Sequence, residues 1–135
     1  MKFDEAKILR SQLKKFQAEL PRMTDLMLTV AVTHSTENFA KQGFDDLGVK
    51  KWAPRQRTRT RDIGKAILVQ SGRLRRSLRK KRLTALSGVI FSPLPYARRH
   101  NEGLDMPQRQ FVGNSINMVK KIERALELKI NRIFA

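Results

Sequence analysis

The sequence predicts an α+β fold in which a small antiparallel sheet packs against long N-terminal and C-terminal helices. Two observations lead to this prediction. Apolar residues recur every three or four positions near both ends of the chain, which is the helical period. The middle of the chain carries short apolar runs bounded by glycine, proline and serine, which is typical of strands and turns. A length of 135 residues suits one domain with one modest core.

The N-terminal third predicts two helices, over about residues 4–20 and 22–42, that form a hairpin or one long kinked helix. Asp4 is a suitable N-cap, and Pro21 marks the division because proline lacks a backbone donor. Gly43 stands where a helix-terminating glycine belongs. The apolar stripe of the first helix consists of Leu9, Leu13, Phe16 and Leu20.

Beyond these helices the periodicity disappears over about residues 45–61, which predicts a long basic loop. A mixed α/β core is expected over about 62–113. A regular apolar stripe predicts a C-terminal helix over about 115–133, with Asn114 or Ser115 at its start. Ser71 is placed to cap a short helix. The other elements expected in the mixed core are a hairpin of Arg79–Thr84 with Val89–Ser92 and a short helix, Tyr96–Asn101, closed by Gly103.

The composition excludes several classes of protein. The chain has no cysteine, so disulfides and thiolate metal sites are excluded. No apolar run approaches the roughly 20 residues that span a bilayer. The N-terminus has the charges of an amphipathic helix and lacks the apolar region of a signal peptide. We therefore expect a soluble protein that is made in the cytoplasm and makes no membrane contact.

The sequence contains no catalytic pattern, and we expect no enzymatic activity, cofactor, metal ion or small-molecule substrate. Its two histidines, His34 and His100, do not stand in a cluster of metal ligands. His34 is expected to be a partly exposed histidine in the middle of a helix. Ser71 has no neighbouring base and does not fit a nucleophile elbow. Neither a P-loop nor a dinucleotide-binding glycine motif occurs.

Positive charge is concentrated in the middle of the chain, whose overall net charge is +17. Residues 50–82 hold fourteen lysines and arginines against one acid, Asp62. Such a block indicates an anionic neighbour, which is a nucleic acid, an acidic protein surface or lipid headgroups. Because no base-reading motif occurs, any DNA contact is expected to be independent of sequence. The candidate contact residues are Lys50, Lys51, Arg55, Arg57, Arg59, Arg61, Arg73, Arg75, Arg76 and Arg79.

An ordered series of short motifs runs through the middle of the chain. A glycine–phenylalanine pair is followed by a tryptophan and a proline, an apolar run ending in serine–glycine, a tyrosine–histidine–glycine motif and an arginine–phenylalanine motif. The motif residues are Trp52, Pro54, Ser71, Gly72, Leu74, Tyr96, His100, Gly103, Arg109 and Phe111. Over about residues 40–113 this series resembles the virion-morphogenesis, or tail-completion, family of tailed phages and Mu-like prophages, which are small head–tail joining proteins of the neck.

The resemblance implies an α+β protein without enzymatic activity that forms a homo-oligomeric ring around the DNA channel. Its expected partners are the neck and tail-tube proteins of the phage. It would act in the cytoplasm of the bacterial host during assembly and afterwards remain in the neck or tail of the virion. Trp52 and Pro54 would hold the end of the basic loop, and Tyr96 would pack its ring. Arg109 would pair with an acid of its own or of a neighbouring subunit.

Two other functions stay open at this point. A sequence-independent nucleic-acid-binding protein would act through the basic segment 50–82, and a ring around DNA can share that property. A metal-dependent nuclease would need paired carboxylates, and acids are sparse near the basic segment. Incubation with Mg²⁺ and plasmid tests the nuclease, since an intact plasmid excludes it.

Overall fold

The computed structural model describes residues 4–55, 64, 66–69 and 72–135. The structure within these ranges confirms the α+β class, with helices at both ends and short antiparallel strands between them. Its elements in chain order are α1 (Glu5–Lys41), β1 (Gly43–Asp45), β2 (Val49–Lys51), α2 (Arg73–Arg76), β3 (Arg79–Arg82), β4 (Gly88–Phe91), α3 (Ala97–Glu102) and α4 (Ile116–Ile133).

The N-terminal third is one helix that continues through Pro21, so of the two predicted forms the hairpin is wrong and the single long helix is the one observed. An internal proline costs about 3 kcal/mol because it removes a hydrogen bond and crowds the preceding turn. Contacts with α4 on the N-terminal side of the proline favour continuation of the helix. The ring of Phe16 stacks on that of Phe134 with centroids 6.2 Å apart, and Lys129 lies 3.5 Å from the carboxylate of Glu19.

The end of α1 differs by one residue from the expectation for Gly43. Gln42, not Gly43, takes the left-handed conformation that terminates the helix, with φ of 54°. The amide side chain of Gln42 then bonds both backbone groups of Ile67, at 2.6 Å and 3.0 Å. Gly43 lies in β1, where a side chain would collide with the carbonyl oxygen of Lys50. The glycine is therefore required by close strand pairing and not by helix termination.

The strands form two separate antiparallel hairpins among the described residues, β1–β2 and β3–β4. The first hairpin corrects the prediction of a loop from residue 45, because Asp45 pairs with Val49 and Gly43 with Lys51. The hairpin predicted at Arg79–Thr84 and Val89–Ser92 is confirmed, with pairs from Arg79 and Phe91 to Arg82 and Gly88. Its turn occupies residues 83–87, slightly earlier than expected.

The hydrophobic core lies where the C-terminal end of α1 meets α2, α3 and the segment before α4. Phe39 is its centre, with ring centroids 5.6 Å from Trp52 and 5.1 Å from Phe111. Leu74, Leu78 and Ala97 complete the buried cluster. The helix α4 runs antiparallel to α1 and contacts it from Phe16 to Glu37. The long helix α1 thus contacts α2, α4, β1 and both strands of the β3–β4 hairpin.

Two predicted helix boundaries are confirmed. Ser115 caps α4, because its hydroxyl accepts a hydrogen bond from the amide of Met118 at 3.0 Å. Gly103 ends α3 with φ of 74°, and a Cβ there would lie 2.8 Å from the Cβ of Gln108. The short helix α2 begins after Gly72, while the expected cap Ser71 lies outside the described residues.

Candidate functional site

The candidate contact residues of the basic segment are distributed over three elements. Lys50 and Lys51 belong to β2, and Arg79 begins β3. The helix α2 contains Arg73, Arg75 and Arg76, whereas Arg55 follows β2 outside any helix or strand. Arg57, Arg59 and Arg61 lie outside the described residues. Several of the described candidates support the fold itself, among them Arg79, whose Nη1 donates to the carbonyl of Arg76 at 2.8 Å. Lys51 donates to the carbonyl of Lys41 at the end of α1, at 2.8 Å, and Arg55 donates to the carbonyl of Ala66 at 2.9 Å.

The residues of α2 also divide between the fold and the surface. Arg75 is half-buried and lies against α1, beside Val32 and Thr36. Arg73 and Arg76 are exposed, and both have interaction partners. The aliphatic part of an arginine covers apolar helix surface well, so packing alone accounts for Arg75.

The strand β3 presents a row of four basic residues to solvent. Its residues Arg79, Lys80, Lys81 and Arg82 are all exposed. No carboxylate in the described ranges forms an ion pair with this strand. Four adjacent cations without a counter-charge raise the local potential and favour the approach of an anion.

The two faces of the β3–β4 hairpin differ. Lys80 points towards α1, because its ammonium lies 2.7 Å from the hydroxyl of Thr29. Side chains alternate along a strand, so Arg79 and Lys81 occupy the opposite, outer face. Their cross-strand neighbours are Phe91 and Val89, which are exposed. The outer face of the hairpin therefore combines two cations with two apolar side chains.

The motif residues converge on the core. Trp52 is buried against Phe39, and its indole N–H donates to the carbonyl of Gln110 at 2.8 Å. This placement is compatible with the role implied for Trp52, which is to hold the end of the basic loop. Pro54 is exposed and contributes only its carbonyl oxygen, which accepts from Arg109.

Arg109 does not pair with an acid within the described part of the chain, contrary to the expectation for its own subunit. Its guanidinium donates from Nε to the carbonyl of Ala53 at 3.1 Å and from Nη2 to that of Pro54 at 3.3 Å. Burial lowers the pKa of Arg109, and the nearby charge of Arg55 lowers it further. A buried cation thus ties the chain after β2 to the segment before α4.

His100 and Tyr96 stand beside this arginine. Burial lowers the pKa of His100, with smaller effects from Arg109 and Arg99, so that the neutral imidazole is favoured. Its Nδ1 atom is buried and has no hydrogen-bond partner. The ring of Tyr96 meets that of His100 edge-on, with centroids 6.1 Å apart. Tyr96 is 37% exposed, so its ring is only partly packed, which limits the role that was expected for it.

A buried polar cluster around His34 was missed by sequence reasoning. His34 is only 1% exposed, so the expectation of a partly exposed helix histidine is wrong. Its Nε2 lies 2.9 Å from the carbonyl oxygen of Asp45 and 3.1 Å from the hydroxyl of Ser115. Its Nδ1 lies 3.1 Å from the ammonium of Lys121, so it accepts and Nε2 donates. The four-residue spacing of His34 and Asn38 was the available signal, because it places both on one face of α1.

This cluster joins three elements and is too deeply enclosed for catalysis. The hydroxyl of Ser115 donates to the carbonyl of Asp45 at 2.6 Å, and both Ser115 and His34 are at most 2% exposed. A serine–histidine contact with no access for a substrate supports structure, because a nucleophile must reach its target. The carboxylate of Asp45 instead bonds Lys41 at 2.7 Å, and this contact lowers the pKa of Asp45.

Across the described residues, no group of three or more histidine, aspartate or glutamate side chains is arranged to hold a metal ion. Over the same residues, no helix has the length and apolar character needed to cross a bilayer. Comparison of the chain with protein-family models, with curated proteins and with solved structures gave no match.

Proposed function

We propose that this chain is a non-enzymatic assembly protein of a tailed-phage particle, acting in tail completion or head–tail joining at the neck. The observation that carries the proposal is the convergence of the motif residues. Trp52, Leu74 and Phe111 come from distant parts of the sequence and pack around Phe39 in one buried cluster. Because the residues that resemble the family's motifs also build one core, they support the proposal that this chain shares the fold of that family. An assembly protein acts through its folded surfaces and not through a reaction, so a shared fold supports a shared role.

The first three turns of α1 support self-association within this proposal. Every residue of α1 from Glu5 to Lys15 is exposed, including Leu9 at 57% and Leu13 at 51%. The partner helix α4 ends level with Phe16, since Phe134 stacks on that ring. An apolar stripe on a helix that extends past its own neighbour suits contact with another copy. On this proposal the copies form a ring, which meets the neck and tail-tube proteins in the host cytoplasm and remains in the virion.

Replacing Leu9 and Leu13 by glutamine is expected to weaken self-association by tenfold or more, since burying a leucine contributes about 1.5–3 kcal/mol. Light scattering at several protein concentrations measures the effect. The matched control replaces Lys7 and Lys14 by glutamine, because these residues lie on the opposite side of the same helix. A wild-type chain that stays monomeric at all concentrations, also with neck and tail-tube proteins added, would contradict the assembly role.

The second candidate function is sequence-independent binding of nucleic acid, and the outer face of the β3–β4 hairpin favours it. Lys81 presents its ammonium on this face beside the exposed Phe91 and Val89, and Arg79 lies on the same face with its Nη1 bonded to the carbonyl of Arg76 at 2.8 Å. Cations suit phosphates and an aromatic face suits a base, so the combination fits an unpaired strand as well as a duplex. An assembly protein around exiting DNA can carry the same surface, and the two functions are compatible.

Replacing Arg79 and Lys81 by glutamine is expected to lower the affinity for DNA of mixed sequence and to reduce the slope of log K against log salt by about 2. Fluorescence anisotropy at a series of salt concentrations gives both quantities. The Lys7 and Lys14 double variant removes the same charge from another surface and serves as control. An equal loss in both variants would show that total charge alone drives binding, which contradicts a specific role of the hairpin.

A further inference from the structure

A cavity of about 340 Å³ opens beside α3, in the size range of ligand pockets. One wall is aliphatic and the other polar. The aliphatic wall consists of Ile67, Leu68 and Leu74, and the polar wall of Tyr96, His100 and Arg109, with Arg55 also in the lining. Six of these seven residues belong to the motif series or to the apolar run within it.

Arg109 brings a buried and uncompensated positive charge to this cavity. The residue is 9% exposed, and carbonyl oxygens satisfy two of its N–H groups without neutralising it. No carboxylate of the described chain forms an ion pair with it. A buried charge is stable only when it is paired, so the site is suited to an incoming anion. The Nη1 nitrogen takes no part in the two carbonyl contacts and is left for that anion.

His100 supplies a second polar atom with no partner. Its buried Nδ1 makes no hydrogen bond, although a buried polar group normally has one. His100 and Arg109 line the same cavity, and the N–H groups at Nη1 of Arg109 are donors that suit a carboxylate oxygen.

Leu68 marks the aliphatic wall as strained. It adopts φ of 61°, in the left-handed region that leucine rarely occupies. Such conformations persist where the surrounding structure enforces them, and they cluster at binding sites. Here the residue in this unfavourable backbone conformation, Leu68, is one that lines the cavity.

We propose that this cavity binds a carboxylate carried on a short aliphatic stem. The carboxylate lies against Arg109 and His100, and the stem lies against Leu68 and Leu74. A nucleic-acid phosphate fits less well, because its polar sugar would lie against the aliphatic wall, where its hydroxyl and ring oxygens find no hydrogen-bond partner. The carboxylate comes either from a protein, as a glutamate side chain or a chain terminus, or from a small free acid.

The first test uses 4-methylpentanoate, its uncharged amide and inorganic phosphate as probes. The pKa of His100 is followed by NMR. The acid is expected to raise the pKa of His100, because a neighbouring carboxylate favours the imidazolium. The amide is expected to leave it unchanged. No change with the acid, or an equal rise with phosphate, would overturn the proposal.

Variants locate the binding. Arg109→Gln is expected to weaken 4-methylpentanoate binding, measured by calorimetry, by about tenfold or more, since a charge-assisted hydrogen bond is lost. Arg98→Gln removes an exposed cation of the same helix as His100 and is expected to bind like the wild type. If Arg109→Gln does not fold, His100→Leu replaces it, with a similar expected loss. Unchanged affinity in a folded variant of either residue would contradict the proposed site.

The source of the carboxylate is tested with the peptide acetyl-Ala-Leu-Glu-amide and its glutamine counterpart. Binding of the glutamate peptide alone identifies a protein partner. If 4-methylpentanoate binds and the glutamate peptide does not, the natural ligand is a small acid. Either result supports the proposal that the cavity binds a carboxylate. Absence of binding by both rejects this inference and leaves the assembly role standing, because that role is tested by self-association.

Discussion

Phe39→Ala is expected to lower the free energy of unfolding by about 3–5 kcal/mol, as large-to-small substitutions of buried aromatics do. The ring is 1% exposed and touches both Trp52 and Phe111, so its removal leaves a cavity between three segments that nothing nearby can fill. Urea unfolding followed by circular dichroism measures the change. Tryptophan fluorescence reports the same event locally, because Trp52 is the only tryptophan.

Phe134→Ala is the matched control for this prediction. Phe134, like Phe39, contacts another phenylalanine ring, but it is 47% exposed at the end of α4. We expect a loss of about 1 kcal/mol, because the ring is only partly removed from water. Equal losses in the two variants would mean that the cluster around Phe39 is not the centre of the core.

Asn38→Ala is expected to cost about 2–4 kcal/mol, since each buried backbone group left unpaired costs about 1–3 kcal/mol. The Asn38 side chain is fully buried. It donates to the carbonyl of Phe111 at 3.0 Å and accepts from the amide of Asp45 at 3.1 Å. Its loss removes the link from α1 to β1 and to the segment before α4. Thermal unfolding and urea unfolding both measure it.

Asn131→Ala is the control for Asn38, because both asparagines lie within helices and Asn131 is exposed. Alanine favours helix more than asparagine does, so this variant is expected to be neutral or stabilised by up to about 0.5 kcal/mol. If Asn38→Ala behaved in the same way, the buried hydrogen bonds would contribute nothing to stability.

Local patterns in the sequence predicted the helical ends of the fold well. The stripe of α4, its cap at Ser115 and the termination of α3 at Gly103 are all properties of a few neighbouring residues. At Pro21 the sequence left a hairpin and one long helix open, because the local cost of a proline does not include the contacts that α4 makes with α1. The β1–β2 hairpin was not predicted, because strands of three residues are too short to show the alternation that identifies a strand in a sequence.

The candidate sites divide in the same manner. The concentration of charge between residues 50 and 82 is visible in the sequence. Which of those charges face solvent is not, because Lys51 bonds the end of α1 while Lys81 lies on an outer strand face. The cavity beside Arg109 needs residues that are more than 40 positions apart, from Arg55 to Arg109. No spacing rule brings such residues together.

The sequence by itself determined the α+β class, the two terminal helical stripes, the β3–β4 hairpin and the block of positive charge. Each of these depends on side chains within one helix or one hairpin, where the backbone period decides what faces inward. Only the tertiary structure decided between a hairpin and one helix through Pro21, buried His34, and brought Arg109 and His100 into the lining of one cavity. These depend on contacts between distant segments, whose energies outweigh local preference and leave no period in the sequence.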